Sequence, residues 1–562
     1  RSVAVINTSL LTAAPQSKQN VLRRWRLQTS RIPTRPPLRF PFPSSIHSRR
    51  GRLDRRMIHK WIVSSCGVTM VVVMAWTLLK WVWVQPRWLQ RHLRLQGING
   101  TSYKFFFGDT KEMKEMTKEA NKNLINIHDD IIPRLLPFVF RTSKTYGNIF
   151  FAWYGPKPMV HVLDPALAKD ILSRINDFQK LRKSNPYIKI LSQGLIDYDG
   201  DKWFKHRKII NPAFHTRKLK YMVPAIHVSC SEMLGKWQKK LAACERSCEL
   251  DVFPYLQTLA SDIISRTAFG SNYEEGRRIF DLQKELILLL MPIIQSVYIP
   301  GSRFLPTKKN KRVKEIDSHV KASIRGIISK RLMAMEDGEG SHDDLLGILL
   351  ESNQQEIDQQ MSIEDVIEEC KLFYFAGQET TSTLLVWSII LLSQHPSWQS
   401  QARDEVFLVF GRKKPDIHGL NRLKIEVLRL YPAVPALYRL THEKTKLGDM
   451  SLPSGTAIMV PVVVLHRDSE IWGSDANEFK PERFVDGISK AAKVPSSYFP
   501  FGWGPRICIG QHFAMMETKI ALTMILQHFS FELSPSYAHA PRSVITLQPQ
   551  HGAHLIINHV DC

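Results

Sequence analysis

The run Phe501-Gly502-Trp503-Gly504-Pro505-Arg506-Ile507-Cys508-Ile509-Gly510 carries the sharpest chemical signal in the chain. It reads F-x-x-G-x-R-x-C-x-G. One thiol stands among glycines, with a cation two residues before it and an aromatic ring seven before it. A thiolate is a soft, electron-donating metal ligand. Gly502, Gly504 and Gly510 let the backbone turn tightly and approach a flat cofactor with no Cβ in the way. Backbone N–H groups aimed at the sulfur would then stabilise its charge. Arg506 offers a planar cationic fork to a carboxylate on such a cofactor. Phe501 can pack beside the loop and keep water from the sulfur. The plainer reading is a glycine-rich turn around a buried structural cysteine, and it leaves five constrained positions in ten unexplained.

A second cluster lies in a long apolar segment. Ser362-Ile363-Glu364-Asp365 resembles a capping box and predicts a helix start. The helix should run through VIEECKLFYFAGQETTSTLLVWSIILLSQ and stop near His395-Pro396, because the residue before proline disfavours helix. Inside it stands Ala376-Gly377-Gln378-Glu379-Thr380-Thr381. A glycine, an acid and two hydroxyls in an apolar helix cost stability. Small residues there would let a planar group approach the backbone. Thr380 is expected to bond the preceding turn and open the helix locally. The plainer reading is a solvated polar patch. Glu426 and Arg429 form an E-x-x-R pair on one helix face, a common surface ion pair when met alone. Trp203 and Arg207 form W-x-x-x-R.

Taken in order, these motifs resemble the cytochrome P450 haem-thiolate signature. The resemblance covers nearly all of the chain from about residue 57. It is closest to the plant 72 clan, the secologanin-synthase-like enzymes, in WFKHRKIINPAF, in Tyr298–Thr307 and in YFPFGWGPRICIGQHFAM. It implies a mainly α fold with small β-sheets, of the cytochrome P450 type, behind an N-terminal transmembrane helix. It implies haem b with Cys508 as axial iron ligand, seated on Phe501, Gly502, Gly504, Arg506 and Gly510. Trp203, Arg207 and, more weakly, Arg439 would bind the propionates. Glu379 and Thr380 would guide protons through water to iron-bound oxygen. Glu426, Arg429 and Arg483 would form a structural network under the cysteine loop. The implied partners are NADPH-cytochrome P450 reductase, O2, a membrane and a hydrophobic substrate of terpenoid class. Ser184–Leu195 is a candidate pocket wall, and LILLLMPIIQ at 286–295 could touch a membrane or simply pack in the core.

Composition agrees. The chain has 562 residues, 44% of them hydrophobic, so it can bury a large core. Its seven cysteines are scattered, with neither a disulfide framework nor a paired zinc pattern, which suits a reducing surrounding. The net charge of +25 raises nucleic acid as a partner, but no such motif accompanies it. Residues 1–56 concentrate twelve Arg and one Lys against one Asp. The remainder is diffusely basic, which suits an acidic redox partner or an anionic membrane surface.

Trp61–Val84 is apolar over 24 residues, and roughly 20 span a bilayer as helix. Trp76, Trp81 and Trp83 crowd its C-terminal end, with Arg87, Arg91 and Arg94 beyond. By the positive-inside tendency this predicts a single-pass anchor at 57–84 in the endoplasmic reticulum, with the catalytic region 85–562 facing the cytosol. The basic stretch 1–56 would resist translocation, so translation is expected to start at Met57; an organelle transit peptide is the competing reading. One departure from the family stands out. Gly419–Ile425 runs straight into Glu426, about two helical turns short by resemblance. A lesion there would turn the face bearing Glu426 and Arg429, and the alternative reading is an inactive haem-binding or misfolded P450-like product.

Overall fold

The computed structural model describes residues 53–181, 185–244, 247–338, 344–353, 360–416, 426–494 and 497–560. Gly419–Ile425, Ser184 and residues 1–52 lie outside these. The chain divides into two compact units, residues 1–73 and 74–562.

The described part of the first unit is helical. Helix α1 runs Leu53–Leu79, continues through a π turn at Lys80–Val84 and passes into α2, Gln85–Leu95. The run His59–Leu95 is long and apolar enough to cross a membrane, with a window of mean hydropathy 2.0 and none of that window buried. Pro86 lacks the N–H that would bond the carbonyl of Val82. Tyr103 supplies the missing donor, its hydroxyl lying 2.5 Å from Val82 O.

The second unit is mainly helical. Its helices include α3 (Pro165–Ser173), α4 (Gly200–Ile210), α5 (Thr216–Ala242), α6 (Phe253–Phe269), α7 (Tyr273–Ile294), α8 (Lys308–Glu336), α9 (Ile363–Gln394), α10 (Pro396–Phe410), α11 (Val427–Leu430) and α12 (Gln511–His528). Helix α9 starts where the capping box places it: Ser362 Oγ accepts from Asp365 N at 3.1 Å. It ends at Gln394, one residue before His395-Pro396. It is buried on nearly every face, as its apolar run demands.

The strands are few and short. Strands β1 (Asn99–Gly100), β2 (Ile149–Tyr154), β3 (Lys157–Val162), β4 (Phe178–Gln179), β6 (Leu437–Thr441) and β9 (Ala457–Val460) make one sheet in the order β1-β2-β3-β9-β6-β4. Strand β5 (Ser247–Asp251) pairs with β13 (His554–His559), which pairs with β10 (Phe529–Leu533). Two hairpins complete the set, β7–β8 (Thr445–Leu447 and Met450–Leu452) and β11–β12 (Pro541–Ser543 and Leu547–Pro549). The largest core cluster gathers Leu259, Trp387, Tyr431, Phe513 and Ile520. A second packs Phe151, Trp153, Val160, Ile458 and Phe499 around the first sheet. In the 286–295 run, Leu286, Ile287 and Leu290 are core, while Leu288 is exposed.

Candidate active site

The cysteine loop is held by its own backbone. Cys508 N donates to Phe501 O at 2.9 Å, which folds the ten-residue motif back on itself. A 3-10 turn at Gly504–Arg506 carries the chain into α12. Phe501 and Ile509 pack on the main core. Gly502 and Gly504 take φ of +77° and +71°, the left-handed region that favours glycine. At Gly504 a Cβ would lie 2.8 Å from Leu172 O, at the end of α3. Gly510 differs from the other two glycines. Its φ is −87°, open to any residue, and the nearest atom to a Cβ there is Phe214 Cε1 at 3.8 Å. Its N–H acts on the Cys508 sulfur and favours the thiolate. That side chain is accessible at its surface yet set deep among protein atoms. Burial pushes its thiol up; the Gly510 N–H and the Arg207 cation pull it back.

The expected cations gather beside this loop. Arg207, on α4, donates to Ile507 O at 2.9 Å and so braces the residue before the cysteine. Arg506 lies 4.6 Å over the Trp203 ring, donates to Tyr198 O at 2.8 Å and pairs with Asp199. Arg439, on β6, bonds only the carbonyl of Tyr438 among the described residues. The Nε atoms of both Arg439 and Arg506 are buried without a partner. Lys180, which the motifs did not flag, stands with them. Burial and then the Arg439 and Arg506 charges hold its ammonium well below the usual range. Burial and the Arg506 charge likewise draw Arg439 down to about 10.

The site therefore carries Lys180, Arg207, Arg439 and Arg506 against the carboxylates Asp197 and Asp199. The two orphaned guanidinium N–H groups, and a lysine that the neighbouring cations discharge unless further anions are present, match a ligand bearing two carboxylates. Haem, with its two propionates, fits this donor set and the accessible thiol.

Helix α9 faces the loop through aromatic packing. Phe214 stacks on Phe373 at 5.5 Å and meets Phe513 of α12 at 6.4 Å. Along α9 the residues Phe375–Gln378 and Thr380 are partly accessible in an otherwise buried helix. Thr380 Oγ1 donates to Ala376 O at 2.7 Å, as expected. The expected local opening is not seen: α9 stays α-helical from Ile363 to Gln394. Gly377 also has a packing reason to be small. A Cβ there would meet Ile264 Cγ1 of α6 at 2.6 Å, so the glycine serves helix packing. Glu379 is buried, and burial pushes its carboxyl up, opposed by hydrogen bonds from Thr546 and Gln548. No sequence motif pointed to those two donors.

The E-x-x-R pair is a buried one. Glu426 Oε1 lies 2.9 Å from Arg429 Nη2 and 3.9 Å from Arg483 Nε. Arg429 also donates to His466 O at 3.1 Å and Glu478 O at 2.9 Å. Arg483 donates to Trp472 O at 2.8 Å. The three residues are thus assembled as expected, on the stretch that leads to the cysteine loop.

A family model described as Cytochrome P450 matches residues 123–554. The chain belongs to the cytochrome P450 family. Cytochrome P450 CYP72A219 of Panax ginseng is 56% identical over 515 residues, covering 89% of this chain and 99% of that protein. Cytochrome P450 72A13 of Arabidopsis thaliana is 52% identical over 504 residues, covering 88% and 98%. Secologanin synthase 2 of Catharanthus roseus is 49% identical over 518 residues, covering 90% and 98%. The expected placement among plant CYP72A-type proteins is borne out. This P450 is a haem monooxygenase.

Proposed function

We propose that this P450 hydroxylates a hydrophobic, terpenoid-class molecule at a membrane surface. Two electrons come from NADPH through cytochrome P450 reductase. One atom of O2 enters a C–H bond and the other leaves as water. Bound haem supplies the oxygen activation. Cys508 would hold the haem iron as a thiolate, and the Gly510 N–H with the Arg207 charge would stabilise it. Trp203, Arg207, Arg439 and Arg506, with Lys180, seat the propionates. Glu379 and Thr380 hold and move protons at the carboxyl and hydroxyl oxygens. Glu426, Arg429 and Arg483 keep the loop in place.

The observation that carries this reading is the accessible Cys508 sulfur, met by the Gly510 N–H beside a buried surplus of cations. The substrate class rests on the similarity to secologanin synthase 2. The apolar run His59–Leu95 supports a single-pass anchor in the endoplasmic reticulum membrane, with residues 85–562 in the cytosol.

The carbon monoxide difference spectrum of the reduced protein, in membranes, tests the ligand. A red-shifted Soret band establishes thiolate ligation, and its loss in C508H assigns it. A short-wavelength band in the parent protein refutes Cys508 as ligand. Reconstitution with the reductase and a terpenoid panel then tests the substrate class.

A further inference from the structure

Two protein donors hold the carboxyl of Glu379. Thr546 Oγ1 donates to Glu379 Oε2 at 3.1 Å, and Gln548 Nε2 donates to the same oxygen at 2.6 Å. Gln548 Nε2 also lies 3.1 Å from Thr546 Oγ1. Gln548 is on β12 and Thr546 precedes it in the hairpin turn. The residue between them is pinned at both backbone polar atoms. Trp387 Nε1 donates to Leu547 O at 2.6 Å, and Leu547 N donates to Ala433 O at 3.1 Å. Trp387 lies on α9 itself, eight residues beyond Glu379. The hairpin is therefore docked on the helix that bears the acid, and its two donors have little freedom.

An amide N–H can only donate, so Oε2 serves as a twice-used acceptor. Among the described residues Oε1 makes no hydrogen bond. The ammonium of Lys284, on α7, is the other charge that acts on the carboxyl, and it favours the ionised form. We propose that Thr546 and Gln548 are positioning residues for oxygen activation. They hold Glu379 Oε2 in place and leave Oε1 as the atom that takes up and passes on a proton. The proposal rests on Glu379 being the proton-delivering acid.

The test uses the haem-loaded full chain and the infrared band of the Glu379 carboxyl, assigned by its loss in E379Q and titrated with pH. Donors to a carboxylate favour the charged form, whereas burial opposes it. In Q548L and in T546V the band should therefore titrate at higher pH than in the parent protein. T546S, which keeps the hydroxyl, should restore the parent titration; a purely structural role for the hairpin predicts no such rescue. An unchanged titration in both Q548L and T546V overturns the proposal. The carbon monoxide difference spectrum of the same samples separates the two questions. Failure of the thiolate band in the parent protein refutes the haem-thiolate reading, while the carboxyl titration still decides whether Thr546 and Gln548 position Oε1.

Discussion

Glu426 Oε1 and Arg429 Nη2 stand 2.9 Å apart with both side chains closed to solvent. Burial opposes the charge on each, drawing Arg429 down to about 10 and pushing Glu426 up. Each is tolerated because the other is there. Removing one partner of a buried pair costs about 3–5 kcal/mol, because the remaining charge is left uncompensated. Arg429→Ala and Glu426→Ala should both abolish the thiolate-type carbon monoxide band. Arg429→Lys should not rescue it, because an ammonium has three donors and Arg429 serves four acceptors, Glu426 and the carbonyls of His466, Ala476 and Glu478. Wild-type haem content in Arg429→Ala would sink this account.

Gly504 and Gly510 should respond differently to the same change. Gly504→Ala places a Cβ at φ +71°, which costs about 1–2 kcal/mol in the left-handed region before the contact at 2.8 Å with Leu172 O is counted. The loop must then shift and haem retention should fall steeply. Gly510→Ala meets neither obstacle in the protein. Thermal melts of the two variants check the contrast. Equal losses of melting temperature would show that the backbone conformation at 504 is not the reason for its glycine.

Much of this was legible in the sequence. The cysteine loop, the capped start of α9 and its stop before Pro396 depend on local rules, and local rules are written in consecutive residues. Trp203, Arg207 and Arg506 were flagged by motifs, and Arg439 by the resemblance. Lys180 was not, because its meaning lies in the cations that the fold brings to it from β6 and the cysteine loop. Thr546 and Gln548 were invisible for the same reason: they lie 167 and 169 residues from Glu379 along the chain. The packing role of Gly377 was invisible as well. A sequence shows that a side chain is absent but not which neighbour needs the room.

Thr380 and Glu379 should separate haem binding from turnover. Thr380→Val removes the hydroxyl that donates to Ala376 O and keeps the shape of the side chain. Glu379→Gln removes the ionisable carboxyl and keeps the bulk. Both variants should retain the thiolate band. With reductase and an accepted substrate, oxygen insertion should fall by about 10²–10⁴, the usual contribution of positioned proton transfer. NADPH oxidation should continue, with hydrogen peroxide replacing product. Full coupling in both variants would remove these residues from the proton path.

Asp475 should make the support of the cysteine loop sensitive to acid. Its carboxylate lies 2.9 Å from Lys480 Nζ and 2.9 Å from Arg483 Nη2. Those bonds, Lys480 first, hold its carboxyl down to about 2 from an ordinary 3.8. The folded state therefore binds this proton more weakly than the unfolded chain. The stabilisation is complete above the unfolded value and is lost as pH falls through the folded one, between about 4 and 2. Asp475 is 30% exposed, so solvent screening reduces the contribution to about 0.5–1 kcal/mol. Urea unfolding of parent and Asp475→Asn proteins across that window checks it. The parent should lose stability relative to the variant as acid is added, and the two curves should converge near pH 2, where the folded protein takes up the proton. A stability gap that stays constant down to pH 2 would mean that Asp475 contributes by packing and hydrogen bonding alone, with no charge held against Arg483.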